Sequence, residues 1–128
     1  MNPKEIKYTK SHEWAAVKGN IAVIGISDFA SKQLGDIVFV DAPKVGLAVT
    51  KGKTFGVIES VKTVSDLYSP FTGKIIKTND ALESDPAKVN EDPCGSGWIC
   101  EIELSNPTEA KELMDFTAYE KHCAESHH

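Results

Sequence analysis

The chain holds no apolar run long enough to span a bilayer and no signal-peptide h-region near its start. Its opening, MNPKEIKYTK, is polar and mixed in charge, without the Arg-rich, acid-poor character of a transit peptide, although a mature protein would have shed one. Basic side chains do not cluster: 14 are set against 19 acidic ones, for a net charge of -5, which argues against a nucleic-acid partner. No C-x-x-C pair occurs, and Cys94, Cys100 and Cys123 are odd in number, so reduced thiols are expected rather than a disulfide framework. His122–Cys123 and the final SHH offer no tetrahedral metal set, and VTKGKTFG lacks the spacing of a phosphate loop. Nothing in the sequence brings Cys94 and His12 together as nucleophile and base. His127 and His128 read as the remnant of an expression tag. An acidic, soluble carrier or binding domain fits these absences, with neither membrane nor nucleic acid as partner.

What is present is a chain of 128 residues, 41% hydrophobic and 26% charged, enough for one domain with a real core. Short strands separated by glycine-bearing turns dominate. HEWAAV and IAVIGI flank KGN as a hairpin from Val17 to Ile21. Asp36–Val40 is continuous enough to be buried on both faces or to sit at a sheet junction. TFGVIE, VSDLYS and GKIIK follow. Trp98–Leu104 alternates, with Trp98, Cys100, Ile102 and Leu104 on one face and Ile99, Glu101 and Glu103 on the other. SDFASKQLG predicts a short helix capped by Ser27 and stopped by Gly35. DPAKVN predicts one turn with Asp85 as cap and Pro86 first. Asn106 and Thr117 predict caps for two helices, about Pro107–Met114 and Ala118–Ala124, with Leu113 and Tyr119 packing the pair onto the sheets. The expected fold is mostly β, a sandwich or flattened barrel of short strands within one domain, 1–128. Its β core would run from about 6 to 104 and its helical end from about 105 to 125.

One bend stands out. ESVKTVSD carries Lys62 between two strands of similar length. Val61 and Lys62 are poor choices for a primed turn, which needs positive φ, so a longer type I loop is expected. Over Gly46–Ile75 the order of Gly46, Gly52, Glu59, Lys62, Ser69-Pro70 and Gly73 resembles the lipoyl and biotinyl carrier domains, in which a lysine at a hairpin tip is acylated by a ligase. Biotinyl domains usually flank that lysine with methionine. Val61 and Thr63 stand there instead, which favours lipoyl attachment. SHEW, GISDFASKQLGDIVFVDAPKVG, ESVKTVSDLYSPFTGKI, NDAL, KVN and GSGW, in that order and spacing, resemble the glycine cleavage system H-protein family from about Lys7 to the C-terminal helices. Cys94 departs from the pattern, where the family commonly has an aromatic residue after the proline.

The resemblance implies a lipoyl carrier with no catalytic residues of its own, bearing lipoic acid as an amide on Lys62. It implies a shuttle of the aminomethyl group of glycine from the glycine decarboxylase (P-protein) to the aminomethyltransferase (T-protein), with reoxidation by dihydrolipoyl dehydrogenase (L-protein). A lipoyl ligase or transferase would load the lysine. Since an aminomethyl group on sulfur is labile and its amine cationic, the family's loaded arm implies an aminomethyl-lipoyl cleft, with Glu13 and Asp66 as acids and Ile26, Ala30 and Leu34 as the apolar wall. On sequence alone, Ile26, Ala30 and Leu34 could equally be plain core, and Glu13 and Asp66 plain solvated positions. Two further readings stay open: a relay that donates lipoyl groups to other carriers, and an unmodified β-sandwich interaction module. A monomer is expected, in the cytoplasm if bacterial or the mitochondrial matrix if a processed eukaryotic protein.

Overall fold

The computed structural model describes residue 2 and residues 4–126, with the side chain of Ser126 left aside; the tag reading of His127 and His128 lies outside the described residues. Nine strands form two antiparallel sheets: β1 (Lys7–Tyr8), β2 (Glu13–Lys18), β3 (Ile21–Ile26), β4 (Ile37–Asp41), β5 (Ala48–Val49), β6 (Thr54–Ser60), β7 (Val64–Tyr68), β8 (Gly73–Thr78) and β9 (Cys100–Leu104). The larger sheet runs β1-β2-β3-β9-β8-β5 and the smaller β4-β6-β7, so neither closes into a barrel. Both sheets face one apolar core. From the larger come Ala22, Ile24, Ile75 and Ile102, and from the smaller Val40, Ile58 and Leu67. The alternation that places those residues inward is the period-2 geometry of a strand.

Short helices close the edges. In α1 (Asp28–Leu34) the Ser27 hydroxyl accepts from the Ala30 N–H and Gly35 ends the helix, as the caps predict. Two single-turn helices follow β8, α2 (Ala81–Ser84) and α3 (Lys88–Glu91); α2 is not among the elements the sequence predicts. Asp85 ends α2 rather than capping α3, whose N-cap is Ala87, although the Val89 N–H does bond to the Pro86 carbonyl. Asn106 caps a 3-10 turn, Pro107–Glu112, shorter than the expected helix. The last helix, α4 (Phe116–Ser126), begins before Thr117; the carboxylate of Asp115 accepts from the Ala118 N–H and takes the capping role expected of Thr117.

A second apolar cluster lies on the outer face of the larger sheet, where Trp14, Ile6 and Tyr8 pack against Tyr119, with Phe116 beside them. Trp14 is fully buried and its indole N–H donates to the Pro93 carbonyl at 2.8 Å. Opposite it in the β2–β3 ladder stands Gly25, where a Cβ would come within 2.5 Å of the indole nitrogen. Cys94 is buried in this cluster, and burial pushes its thiol pKa up.

Two strand readings need correction. β4 is an edge strand with an irregular step between Ile37 and Phe39, and Val38 and Phe39 are 53% and 50% exposed, so it is not buried on both faces. The alternation of Trp98–Leu104 holds only from Cys100, because the Trp98 N–H turns back to the Gly95 carbonyl. Ile99 is therefore fully buried, not paired with Glu101 and Glu103 on an outer face, and Trp98 joins the outer cluster.

Candidate functional site

Lys62 sits in the connection between β6 and β7, which is shorter than the expected type I loop. Pairing runs to Glu59↔Val64, and the Ser60 N–H bonds to the Thr63 carbonyl at 2.8 Å. The Ser60 hydroxyl oxygen accepts from the N–H groups of Lys62 (3.3 Å) and Thr63 (3.2 Å). That side chain does locally what a positive-φ residue does in a primed turn, and none of residues 60–63 has positive φ. The Val61 N–H bonds to the Asp36 carbonyl at 2.9 Å, tying the tip to the chain that leaves α1.

The Lys62 side chain is exposed and makes no ion pair among the described residues. Its methylenes lie over Gly35: a Cβ there would stand 3.4 Å from Cε and 3.9 Å from Nζ. Phe29, Lys32 and Gln33 of α1 complete a shallow groove with it. Gln33 also lines a cavity of about 110 Å³, so groove and cavity share that residue.

Glu13, Asp66, Ile26, Ala30 and Leu34 all line this cavity. They arrive from β2, β7, β3 and α1, elements that the two-sheet packing brings to one end of the molecule. Ile26 and Glu13 are direct partners in the β2–β3 ladder. Glu13 is not on a solvated face: it is 2% exposed. The hydroxyls of Thr9 (2.7 Å) and Ser11 donate to its Oε1, and the Tyr68 N–H donates to Oε2 at 3.3 Å. One carboxylate thus joins the larger sheet to the smaller. Burial pushes its pKa above the ordinary carboxyl value despite these donors. Asp66 remains exposed at the rim.

Sequence reasoning did not single out Ser11, His12, Gln33 or Ser65 as lining residues. Ser11 and His12 flank Glu13 within SHEW, and that adjacency was the available signal. His12 has φ 76°, the one non-glycine among the described residues with positive φ. Its carbonyl accepts from the Ser27 N–H at 2.9 Å, and its Nδ1 lies 2.7 Å from the Tyr119 hydroxyl of α4. Burial, then the nearby His122, lowers the His12 pKa. A larger cavity, about 650 Å³, lies against a different face of α1, among Tyr8, Asp28, Phe29, Cys94 and Tyr119.

The arrangement offers an exposed primary amine beside α1 and a small chamber, lined in part by the same helix, with one buried and one exposed carboxylate. Comparison with known proteins shows the family. The family profile described as "Glycine cleavage H-protein" matches residues 6–126. A "Glycine cleavage system H protein" of Myxococcus xanthus is 56% identical over 117 residues, 91% of each chain. The "Glycine cleavage system H protein 2, mitochondrial" of Arabidopsis thaliana is 48% identical over 122 residues, 95% of this chain and 78% of that one. A crystal structure of a glycine cleavage system H protein from Mycobacterium marinum superposes with a TM-score of 0.86 at 36% identity, covering 94% of this chain and 97% of the other.

Proposed function

The chain belongs to the glycine cleavage H-protein family, and from that membership we infer that it is the lipoyl carrier of the glycine cleavage system, working with that system's other components. In the finer reading, lipoic acid is joined by an amide to Lys62 by a ligase or transferase. The carrier then visits the P-, T- and L-proteins in turn, as one domain and a monomer without catalytic residues of its own. Its place would be the bacterial cytoplasm or the mitochondrial matrix; relatives occur in bacteria and in mitochondria, and no described helix is long and apolar enough to cross a membrane.

Lys62 suits the attachment. An exposed ammonium held by no carboxylate among the described residues has no ion pair there to lose when acylation removes its charge. When attached, lipoic acid supplies the sulfur chemistry that no side chain here offers. The chain's own residues supply position and shelter. Ser60 and the Asp36 carbonyl fix the tip, and Gly35 leaves its neighbour free of side-chain bulk. Ile26, Ala30 and Leu34 exclude water from the chamber, while Glu13 and Asp66 present negative charge to a cationic one-carbon amine. A charged cargo gives the differential affinity needed for a sheltered loaded state and a free unloaded one.

The observation that supports this reading is the exposed Lys62 side chain lying beside α1, the helix whose Ala30, Gln33 and Leu34 also line the acid-bearing chamber. Lys62→Arg is the test. Intact mass of wild-type protein from its own cells is expected to show a lipoyl increment on Lys62, lost in the variant without loss of fold. Glycine–bicarbonate exchange with purified P-protein is expected to vanish with it. Undiminished exchange in the variant would refute the assignment.

A further inference from the structure

Beyond the chamber's own lining, one hydrogen-bond chain joins it to the C-terminal helix. The Ser27 hydroxyl oxygen accepts from the Ala30 N–H at 3.1 Å as the cap of α1. Its proton is left to donate, and the Tyr119 hydroxyl is the neighbour in reach. Tyr119 then has its own proton to give, and His12 Nδ1 stands 2.7 Å away. Cys123, one turn on in α4, also approaches the phenol, but a thiol sulfur is a weak acceptor beside an imidazole nitrogen. No other acceptor for the Ser27 proton stands among the described hydrogen bonds, so the arrangement that uses every proton runs from Ser27 to Tyr119 to His12 and leaves Nδ1 a lone pair.

We propose that Tyr119 is a positioning residue for the cargo chamber: its hydroxyl holds His12 as the neutral Nε2–H tautomer, so that the chamber's charge comes from Glu13 and Asp66 alone. The inference rests on the carrier reading, since it concerns how the chamber receives a cation.

An imidazolium at His12 would place a proton on Nδ1, facing the phenol. The phenol would have to reverse toward Ser27, whose own proton would lose its acceptor in a site where Ser27 is buried. The surroundings oppose the charge as well. From α4, His122 has its ring centroid 5.5 Å from that of His12. From α1, the Phe29 ring lies 5.0 Å away, and Asp28 is already paired with Lys32 at 2.9 Å. The groups that would welcome a cation are Glu13 and Asp66, the carboxylates the cargo is to meet. A charged His12 would compete with the cargo for them. The positive φ of His12 is the local strain with which the chain brings that ring to the phenol.

The experiment has two parts. Long-range proton–nitrogen NMR of unmodified, nitrogen-15-labelled protein reads the His12 tautomer with no cargo involved. The wild type is expected to show a protonated Nε2 and bare Nδ1 at neutral pH. Tyr119→Phe, which keeps the ring and its stacking on Tyr8, is expected to show mixed tautomers and a titration midpoint moved upward. In lipoylated, amine-loaded protein, the variant is expected to release the amine several-fold faster than wild type at about pH 6 and at the same rate well above the ordinary histidine pKa. An Nδ1–H tautomer or imidazolium in the wild type overturns the proposal even if the variant fails to fold. An unchanged tautomer in a folded variant, or equal release rates at the lower pH, also overturns it. Absence of any lipoyl increment on Lys62 by mass would instead defeat the carrier reading, and the NMR result would still stand on its own.

Discussion

At the scale of single residues, type does not mark Lys62, the proposed attachment site: all 14 basic residues are lysine. Position marks it, through a turn closed by Ser60 and a neighbour, Gly35, without a side chain. Glu13 shows the opposite case, an ordinary acid made unusual by its surroundings. Its folded pKa is raised above the unfolded value, so its contribution to stability is fully present below that unfolded value and is lost as pH rises through the folded pKa. At neutral pH the ionised group therefore costs stability. Glu13→Gln is expected to raise the thermal midpoint at neutral pH and to flatten the stability profile above roughly pH 4, the ordinary carboxyl range, as followed by calorimetry. The same change should speed release of a loaded amine by about tenfold to a hundredfold, the loss of one hydrogen bond to a charged group. A lower midpoint would mean that the three donors to the carboxylate outweigh its desolvation.

Elements were legible where their cause is local. The β2–β3 hairpin, α1 with its two caps and the strands flanking Lys62 follow from alternation and capping residues alone. The misreadings have two origins. Asp115 outcompetes Thr117 as a cap and the Gly95–Trp98 turn spoils the alternation before Cys100, both choices between local alternatives, whereas the place of an apolar β4 at an open edge depends on what the strand meets across the fold. The family pattern named five chamber residues, but not that Glu13 is buried: its partner Tyr68 is 55 residues away. His12 and Tyr119 are 107 apart, and no window of sequence joins them. The β2–β3 pair also yields a test at its own scale. Gly25→Ala would drive a methyl into the Trp14 ring, whose indole is held by Pro93. The expected loss is about 1–3 kcal/mol by chemical denaturation, typical of an overpacked core. A loss within error would show that the indole can shift.

Across the whole molecule, the two apolar clusters divide the labour. The inner one joins the sheets, and the outer one fastens α4 to the larger sheet through Tyr8 and Tyr119, whose rings stack 4.2 Å apart. Lys62 belongs to neither. Carriage and stability should therefore separate in denaturation experiments. Tyr119→Ala is expected to cost about 3–5 kcal/mol, the range for deleting a buried aromatic, while Lys62→Arg leaves the midpoint within error. A large cost for Lys62→Arg would mean that the tip contributes to the fold in a way its exposure hides.

Gly35 leaves α1 with φ 77°, a backbone state that other residues rarely adopt, directly beneath the lysine stem. The demand for a helix stop thereby clears the ground over which the proposed tether would swing. A side chain introduced there would strain the exit from the helix and roughen the track at once, so helix termination and free passage cannot be altered independently.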